Sequence, residues 1–187
     1  MVERFDGPDE LAEWLEERDI DTAVWGTGTF KSIANLWDEY LKDAVSFADP
    51  ALRIVQVVQV LIQQDGKILC EVEQEFKNGK CRRRNRPPSE KINRNESSID
   101  AAYRCLDEEL GIRPEQVSIM ATEGQVEELN SSPSYPGLQT RYLIQRFRAD
   151  VPGLPKEDFW RENTAAEEDD PVSRHLWAWK EQCSSTD

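Results

Sequence analysis

Apolar residues recur at helical spacing twice within the first fifty positions. In "DELAEWLEERD" (9–19), Leu11, Trp14, Leu15 and the stem of Arg18 share one face behind the start signal Pro8-Asp9. In "SIANLWDEYLKDAVSF" (32–47), Ile33, Leu36, Trp37, Tyr40, Leu41 and Phe47 do the same, so a second helix is expected there. Both stripes are expected to pack against the rest of the chain, with a partner helix as the alternative. The intervening "GTG" (26–28) lacks the strand and Lys-Ser ending at the spacing of a phosphate loop, and reads as a turn.

From Leu52 the period shortens to that of a strand. "RIVQVVQVLIQ" (53–63) is rich in β-branched residues, and "QDGK" (64–67) supplies an Asp-Gly turn that sends "ILCEVEQEF" back antiparallel. "KNGK" (77–80) repeats the device, so a β meander is expected. Residues 97–110 then switch to helical spacing through Ile99, Ala102, Tyr103, Leu106 and Leu110, and Gly111 ends the helix. "VSIMATEGQVEEL" and "QTRYLIQRFRADV" read as further strands joined by "NSSPSYPGL", a turn set by Pro136-Gly137. "VSRHLWAWKEQ" (172–182) fits strand or helix, and "TAAEEDDP" (164–171) reads as a solvated acidic loop.

Composition narrows the classes. A chain of 187 residues suits one domain of ordinary size with an appendage, and six Trp and six Phe argue against disorder despite 32% charged residues. The expected division is a helical extension over 1–50, a main domain over 51–182 and a polar tail over 183–187. A net charge of −14 repels nucleic-acid backbone except through a local basic patch. No apolar run is long enough to span a bilayer and no signal peptide is visible, so a soluble, intracellular protein without a membrane partner is expected, its compartment left open among cytosol, nucleus and organelle interior. Four cysteines without CxxC spacing or paired His make a zinc site unexpected; they read as free thiols in a reducing compartment.

The candidate chemistry lies in "PPSEKINRNESSIDAAYRCLDEELGI" (87–112). Offsets of three and four residues put Cys105, Glu108 and Glu109 on neighbouring positions of one helix, and two carboxylates there suit a hard divalent ion. On helical spacing alone, a solvated charged face with i, i+4 pairs is the better explanation. The longer pattern adds register: Glu96, Arg104, Leu106, Glu108, Glu109, Gly111 and Ile112 fall in order, with Pro88, Lys91, Ile92 and Ser97 upstream.

That segment resembles the Nudix box: Gly, five residues, Glu, seven residues, Arg-Glu, an aliphatic residue, any residue, Glu-Glu, any residue, Gly and an aliphatic residue. The likeness covers roughly residues 53–180, because a strand, "DGK" and "ILCEV" also precede the box. It implies an α/β fold, a Nudix-like α/β/α sandwich with a mixed β-sheet, to which the N-terminal helices are an extension. It implies Mg²⁺ or Mn²⁺ held by Glu108 and Glu109, a diphosphate compound of a nucleoside as substrate, and an ion pair between Glu96 and Arg104. Two positions depart from the box. Glu90 stands for the glycine, and Cys105 for the glutamate after the arginine, which in the family joins the metal cluster and can act as base. A thiol is no hard oxygen ligand, and losing a base lowers a rate by about 10² to 10⁴. Glu90 is the candidate replacement catalytic carboxylate, with Glu123, Glu127 and Glu128 as further donors.

The one basic segment, "KNGKCRRRNRPP", reads as a loop and offers Lys77, Lys80, Arg82, Arg83, Arg84 and Arg86. These can hold phosphate, receive an acidic partner or grip a short single strand of RNA; internal pairing with carboxylates is the alternative. Lys91 and Arg141 are further phosphate candidates, whereas His175, beside Trp177 and Trp179, reads as a packed or surface residue. The functional expectation is a degenerate Nudix domain that binds a phosphorylated ligand or a protein partner, with hydrolysis weak or lost. An active Mg²⁺-dependent hydrolase and a structural subunit docking through residues 1–50 are the alternatives.

Overall fold

The computed structural model describes residues 2–28, 30–164 and 172–183, with the side chains of 121–123 outside the description. The elements are α1 (Pro8–Glu16), α2 (Ile33–Leu41), β1 (Ser46–Ala48), β2 (Leu52–Gln64), β3 (Lys67–Phe76), β4 (Cys81–Arg86), β5 (Ser89–Lys91), α3 (Ser98–Leu110), a short 3₁₀ turn, β6 (Ser118–Ser131), β7 (Gln139–Asp150), β8 (Phe159–Glu162) and β9 (Val172–Lys180). The fold is α/β, an open mixed sheet with helices, as expected. Its strand order is β6-β7-β2-β3-β9-β8, with β1 and β5 on β2 and β4 on β3. No helix among the described residues is long and apolar enough to cross a membrane. The expected acidic loop, apart from Thr164, lies outside the described residues.

The chain forms two compact units. Unit 1 comprises residues 1–57, 91–96 and 125–144; unit 2 comprises 58–90, 97–124 and 145–187. In unit 1 the stripes of α1 and α2 are buried in one cluster: Phe5, Leu11, Trp14, Leu15, Trp25 and Leu36 pack with Phe47, Val55, Tyr135 and Leu138. Phe5, Trp14, Tyr40 and Phe47 meet edge to face at 5.4 to 5.7 Å, the arrangement that ring quadrupoles favour. α2 ends at Leu41, shorter than the expected run to Phe47. Asp43 takes a left-handed conformation (φ 51°), and Phe47 instead pairs with Arg53 as part of β1. Truncating residues 1–50 is therefore expected to leave Val55, Tyr135 and Leu138 exposed and to give an aggregating chain. A monodisperse, folded remainder in light scattering and circular dichroism would contradict this.

Unit 2 is built on β3. The Asp65-Gly66 turn has both residues at positive φ (51° and 78°), and Gln63↔Ile68 and Gln64↔Lys67 pair across it. The basic segment, expected as a loop, is the strand β4, which pairs back on β3 from Glu71↔Arg86 to Glu75↔Cys81. Residues 172–180 resolve as strand β9, paired with β3 from Ile68↔Lys180 to Phe76↔Val172. Ser97 caps α3 by accepting from the Asp100 N–H, and Gly111 closes it at φ 60°. Ile99, counted with the apolar stripe, is exposed instead.

One expectation is corrected in this unit. Cys70 and Cys183 form a disulfide, with Cα atoms 6.0 Å apart, leaving Cys81 and Cys105 as the free thiols. The pairing of Cys70 with Ala178 brings the chain beyond β9 back over β3, a juxtaposition that cysteine spacing does not reveal.

Candidate phosphate and metal site

α3 and β3 set the candidate site in unit 2. Glu71 on β3 is almost fully buried, and its carboxylate is surrounded by partners. His175 Nδ1 lies 2.5 Å from Oε1, Gln74 Nε2 donates to Oε1 at 2.6 Å, and Arg84 Nε lies 3.1 Å from Oε2, with Arg86 Nε at 3.8 Å. A carboxylate removed from water is tolerated only where its lone pairs are matched in this way. Glu109, from the last turn of α3, reaches the same place. Glu71, Glu109 and His175 each bring one ligand-type atom to within 4.8 Å of the others. Among the described residues, theirs is the group of three or more such side chains that converges.

The electrostatics follow from that crowding. Burial, then the Glu71 charge, push the Glu109 carboxyl up to about 8 against the opposing pull of His175 and Arg86; Glu90 adds to the rise. Its Oε2 is buried without a hydrogen-bond partner among the described residues. Cys105 is fully buried, and burial, reinforced by Glu109 and Glu90, pushes its thiol well up, so it is held protonated and unreactive.

The other box residues sit as follows. Arg104 Nη1 donates to Glu108 Oε2 at 3.1 Å, one turn along α3. Glu96 accepts from the Asn93 N–H at 2.8 Å in the loop before the helix. Glu90 lies half-buried on β5. Glu127 and Glu128 lie on β6, the first exposed and the second half-buried; the Glu123 side chain lies outside the description. The site brings Glu109 together with two residues that sequence reasoning missed, Glu71 and His175. Their sequence signals are two: the lone histidine in "VSRHLWAWKEQ" and a glutamate inside "ILCEV".

The basic residues divide. Arg82 Nε donates to Gln74 Oε1 at 3.2 Å, and Arg84 Nη1 donates to the same oxygen at 3.1 Å, so Arg82, Arg84 and Arg86 all turn toward β3. Arg83 is exposed and, with Arg84, Lys180, Glu73 and Asn85, lines an open groove of about 500 Å³ over β3, β4 and β9. Lys77 and Lys80 lie at the exposed turn before β4. Arg141 is half-buried on β7.

Lys91 belongs to unit 1. Its ammonium lies 3.0 Å from Glu39 Oε1, which Lys31 also approaches at 2.8 Å, while Arg53 Nη2 holds Oε2 at 2.6 Å. Burial raises the Glu39 pKa, but Lys91, Arg53 and Lys31 outweigh it and hold the carboxyl at about 2. A depressed carboxyl contributes stability that is present above its unfolded value and lost as pH falls toward the folded one. Acid titration of unfolding free energy is thus expected to show a loss of about 3 kcal/mol between pH 4.5 and 2 from this group. Glu39→Gln removes that part of the acid dependence; an unchanged acid limb would contradict it. Tyr135 is fully buried under Arg53, whose guanidinium lies 5.2 Å from the ring centre, and its carbonyl closes the expected Pro136-Gly137 turn by accepting from Leu138 at 3.1 Å.

Mg²⁺ takes hard oxygen donors in near-octahedral geometry. Here the third box position is a buried thiol, Glu108 is engaged by Arg104, and Glu71 is already paired with Arg84 and in contact with His175. The side chains do not fit that ion. One imidazole and two carboxylates suit a borderline cation better, although Arg84 and Arg86 compete for the same carboxylate.

Comparison with known proteins finds no matching family model and no matching curated protein. Solved structures similar to this one include a Nudix hydrolase from Nitrosomonas europaea (22% identity, 66% of this chain and 70% of that one, TM-score 0.43). A Nudix hydrolase from M. smegmatis matches at 16% identity over 74% and 79% (TM-score 0.39). The dihydroneopterin triphosphate pyrophosphohydrolase of E. coli matches at 18% over 67% and 80% (TM-score 0.38). At TM-scores below 0.5 these likenesses fix neither substrate nor chemistry, and the chain stands as similar to Nudix hydrolases at low identity.

Proposed function

We propose that this chain is a Nudix-like domain that binds a phosphorylated ligand of the nucleoside diphosphate type and in which metal-dependent hydrolysis is weak or lost. The observation that carries the reading is the internal pairing of Glu71. Arg84 and His175 take the place beside that carboxylate that a cation would need, and Glu109 is held next to it without a partner for Oε2. In Nudix hydrolases a divalent ion neutralises the diphosphate and activates water. Cys105, buried and protonated, supplies neither an oxygen ligand nor a base.

Ligand binding is supported by the groove of Arg83, Arg84 and Lys180. Guanidinium and ammonium groups lining a concave wall suit phosphate oxygens. A protein partner docking through α1 and α2 is the weaker reading, because their apolar faces are spent in the core of unit 1.

Turnover of a panel of nucleoside diphosphate compounds with Mg²⁺ or Mn²⁺ tests the reading. The native chain is expected to be slow, and Cys105→Glu to raise the rate by up to about 10² to 10⁴, provided circular dichroism shows the variant folded. Brisk native turnover, indifferent to Cys105→Glu and abolished by Glu109→Gln, would establish an active hydrolase instead.

A further inference from the structure

The sheet of unit 2 has two faces, and the groove over β3, β4 and β9 opens on the one away from α3. Side chains two apart on a strand share a face, and so do residues directly opposite each other across an antiparallel pair. His175 meets Glu71 and Glu109 on one face. Arg161, its cross-strand partner on β8, sets its guanidinium where a Cβ on Gly111 would stand, so α3 lies on that side. Leu176, the next residue of β9, points the other way and lines the groove with Glu73 and Arg83.

Strand register extends this second face beyond the groove. Arg83 on β4 pairs with Glu73 on β3, Glu73 with Leu176 on β9, and Leu176 with Trp160 on β8. A guanidinium, a carboxylate, an aliphatic side chain and an indole therefore stand in one row across four strands, about 14 to 15 Å from end to end at ordinary strand spacing. One end of the row belongs to the arginine-rich strand, and the other is apolar.

The indole is braced. Trp160 is 39% exposed, and the Arg174 guanidinium lies over its ring at 4.4 Å from the centre. Glu75 fixes that guanidinium by accepting from Nη2 at 2.8 Å and from Nε at 3.2 Å. An exposed ring held in this way loses little freedom when a second planar group stacks on it. Of the other carboxylates on the face, Glu162 lies opposite Arg174, and Glu73 stands midway along the row.

We propose that this row binds a nucleoside diphosphate on the face of the sheet away from α3, with the base stacked on Trp160 and the phosphates at Arg83. The inference rests on the reading that the groove takes a phosphorylated ligand, and it adds the planar base which that reading leaves open. Guanidinium suits phosphate oxygens, and an indole suits any base because every base has a π-face. Glu73, between them, is an acceptor for the hydroxyl donors of a ribose. Inorganic diphosphate has no ring to stack. A single strand of RNA would use the same groups, but a net charge of −14 opposes a polyanion more than a mononucleotide.

The test is calorimetric titration of the full chain at pH 7 with adenosine diphosphate, inorganic pyrophosphate and a short oligoribonucleotide. Adenosine diphosphate is expected to bind saturably and more tightly than pyrophosphate. Trp160→Leu lowers its affinity by about 5- to 150-fold and leaves pyrophosphate unchanged, Trp160→Phe restores most of the loss, and Arg83→Met weakens both ligands. Equal binding of the two, indifferent to Trp160→Leu, would overturn the stacking while the phosphate groove stands. Equal losses for both ligands in Trp160→Leu would mark a structural role and overturn it as well. No saturable binding of either by the native chain would overturn the groove and the row together. Tighter binding of the oligoribonucleotide than of adenosine diphosphate would overturn the mononucleotide assignment.

Discussion

Glu71→Ala is expected to destabilise the protein by about 3 to 5 kcal/mol. The substitution removes the anion from a buried network and leaves Arg84, with 7% of its side chain exposed, and His175 without their common partner. Breaking a buried ion pair from one side costs that much because the remaining charge stays desolvated, not because the pair itself contributes so strongly. The control follows from the same asymmetry. Replacing Glu71 and His175 together by apolar residues of similar size is expected to recover part of the loss. Urea unfolding of both variants measures this. A Glu71→Ala change below 1 kcal/mol would mean that water reaches Arg84 and His175 freely, and the network would lose its role.

Glu109→Gln is expected to act in the opposite direction. The folded carboxyl sits at about 8, against 4.5 for a free one. A raised carboxyl favours the folded state while it is protonated, so its contribution is fully present below pH 4.5 and is lost as pH rises toward 8. The native chain should therefore lose on the order of 4 kcal/mol across that range from this group alone. Glu109→Gln, always neutral, removes the decline and makes the protein more stable than native at pH 8. Unfolding free energies from pH 5 to 9 decide it: parallel curves for the two proteins would show that Glu109 carries no such burden.

Both effects arise from the burial of Glu71 beside Glu109, which is only partly legible in the sequence. Local signals were dependable where the physics is local. The Asp65-Gly66 turn, the Ser97 cap and the left-handed Gly111 all sit where propensity places them, because each needs only its immediate neighbours. α2 ends before its spacing suggests for the complementary reason: Phe47 has helical spacing but joins β1 against β2. β4 was hidden because six consecutive residues rich in arginine lack the apolar alternation of a strand, and they pair on β3 through partners such as Gln74 and Glu71.

The site was legible on one side only. α3 announced Glu108, Glu109 and Cys105 through their spacing. Glu71 and His175 are 104 residues apart, and only the pairing of β3 with β9 joins them. The same long-range pairing sets the Cys70–Cys183 disulfide. Nothing in "ILCEV" distinguishes a buried, fully paired glutamate from an outward-facing one until its cross-strand partners are known.

If, as proposed, Arg84 and His175 occupy the place beside Glu71 that a metal ion would need, titration calorimetry with Mg²⁺ and Mn²⁺ on the full chain shows it most directly. The native protein is expected to show no saturable binding of either ion in the millimolar range, whereas Arg84→Met, which frees one side of Glu71, gains measurable affinity. Saturable binding to the native chain that disappears in Glu109→Gln or His175→Gln would contradict the claim and restore a metal centre to Glu71, Glu109 and His175.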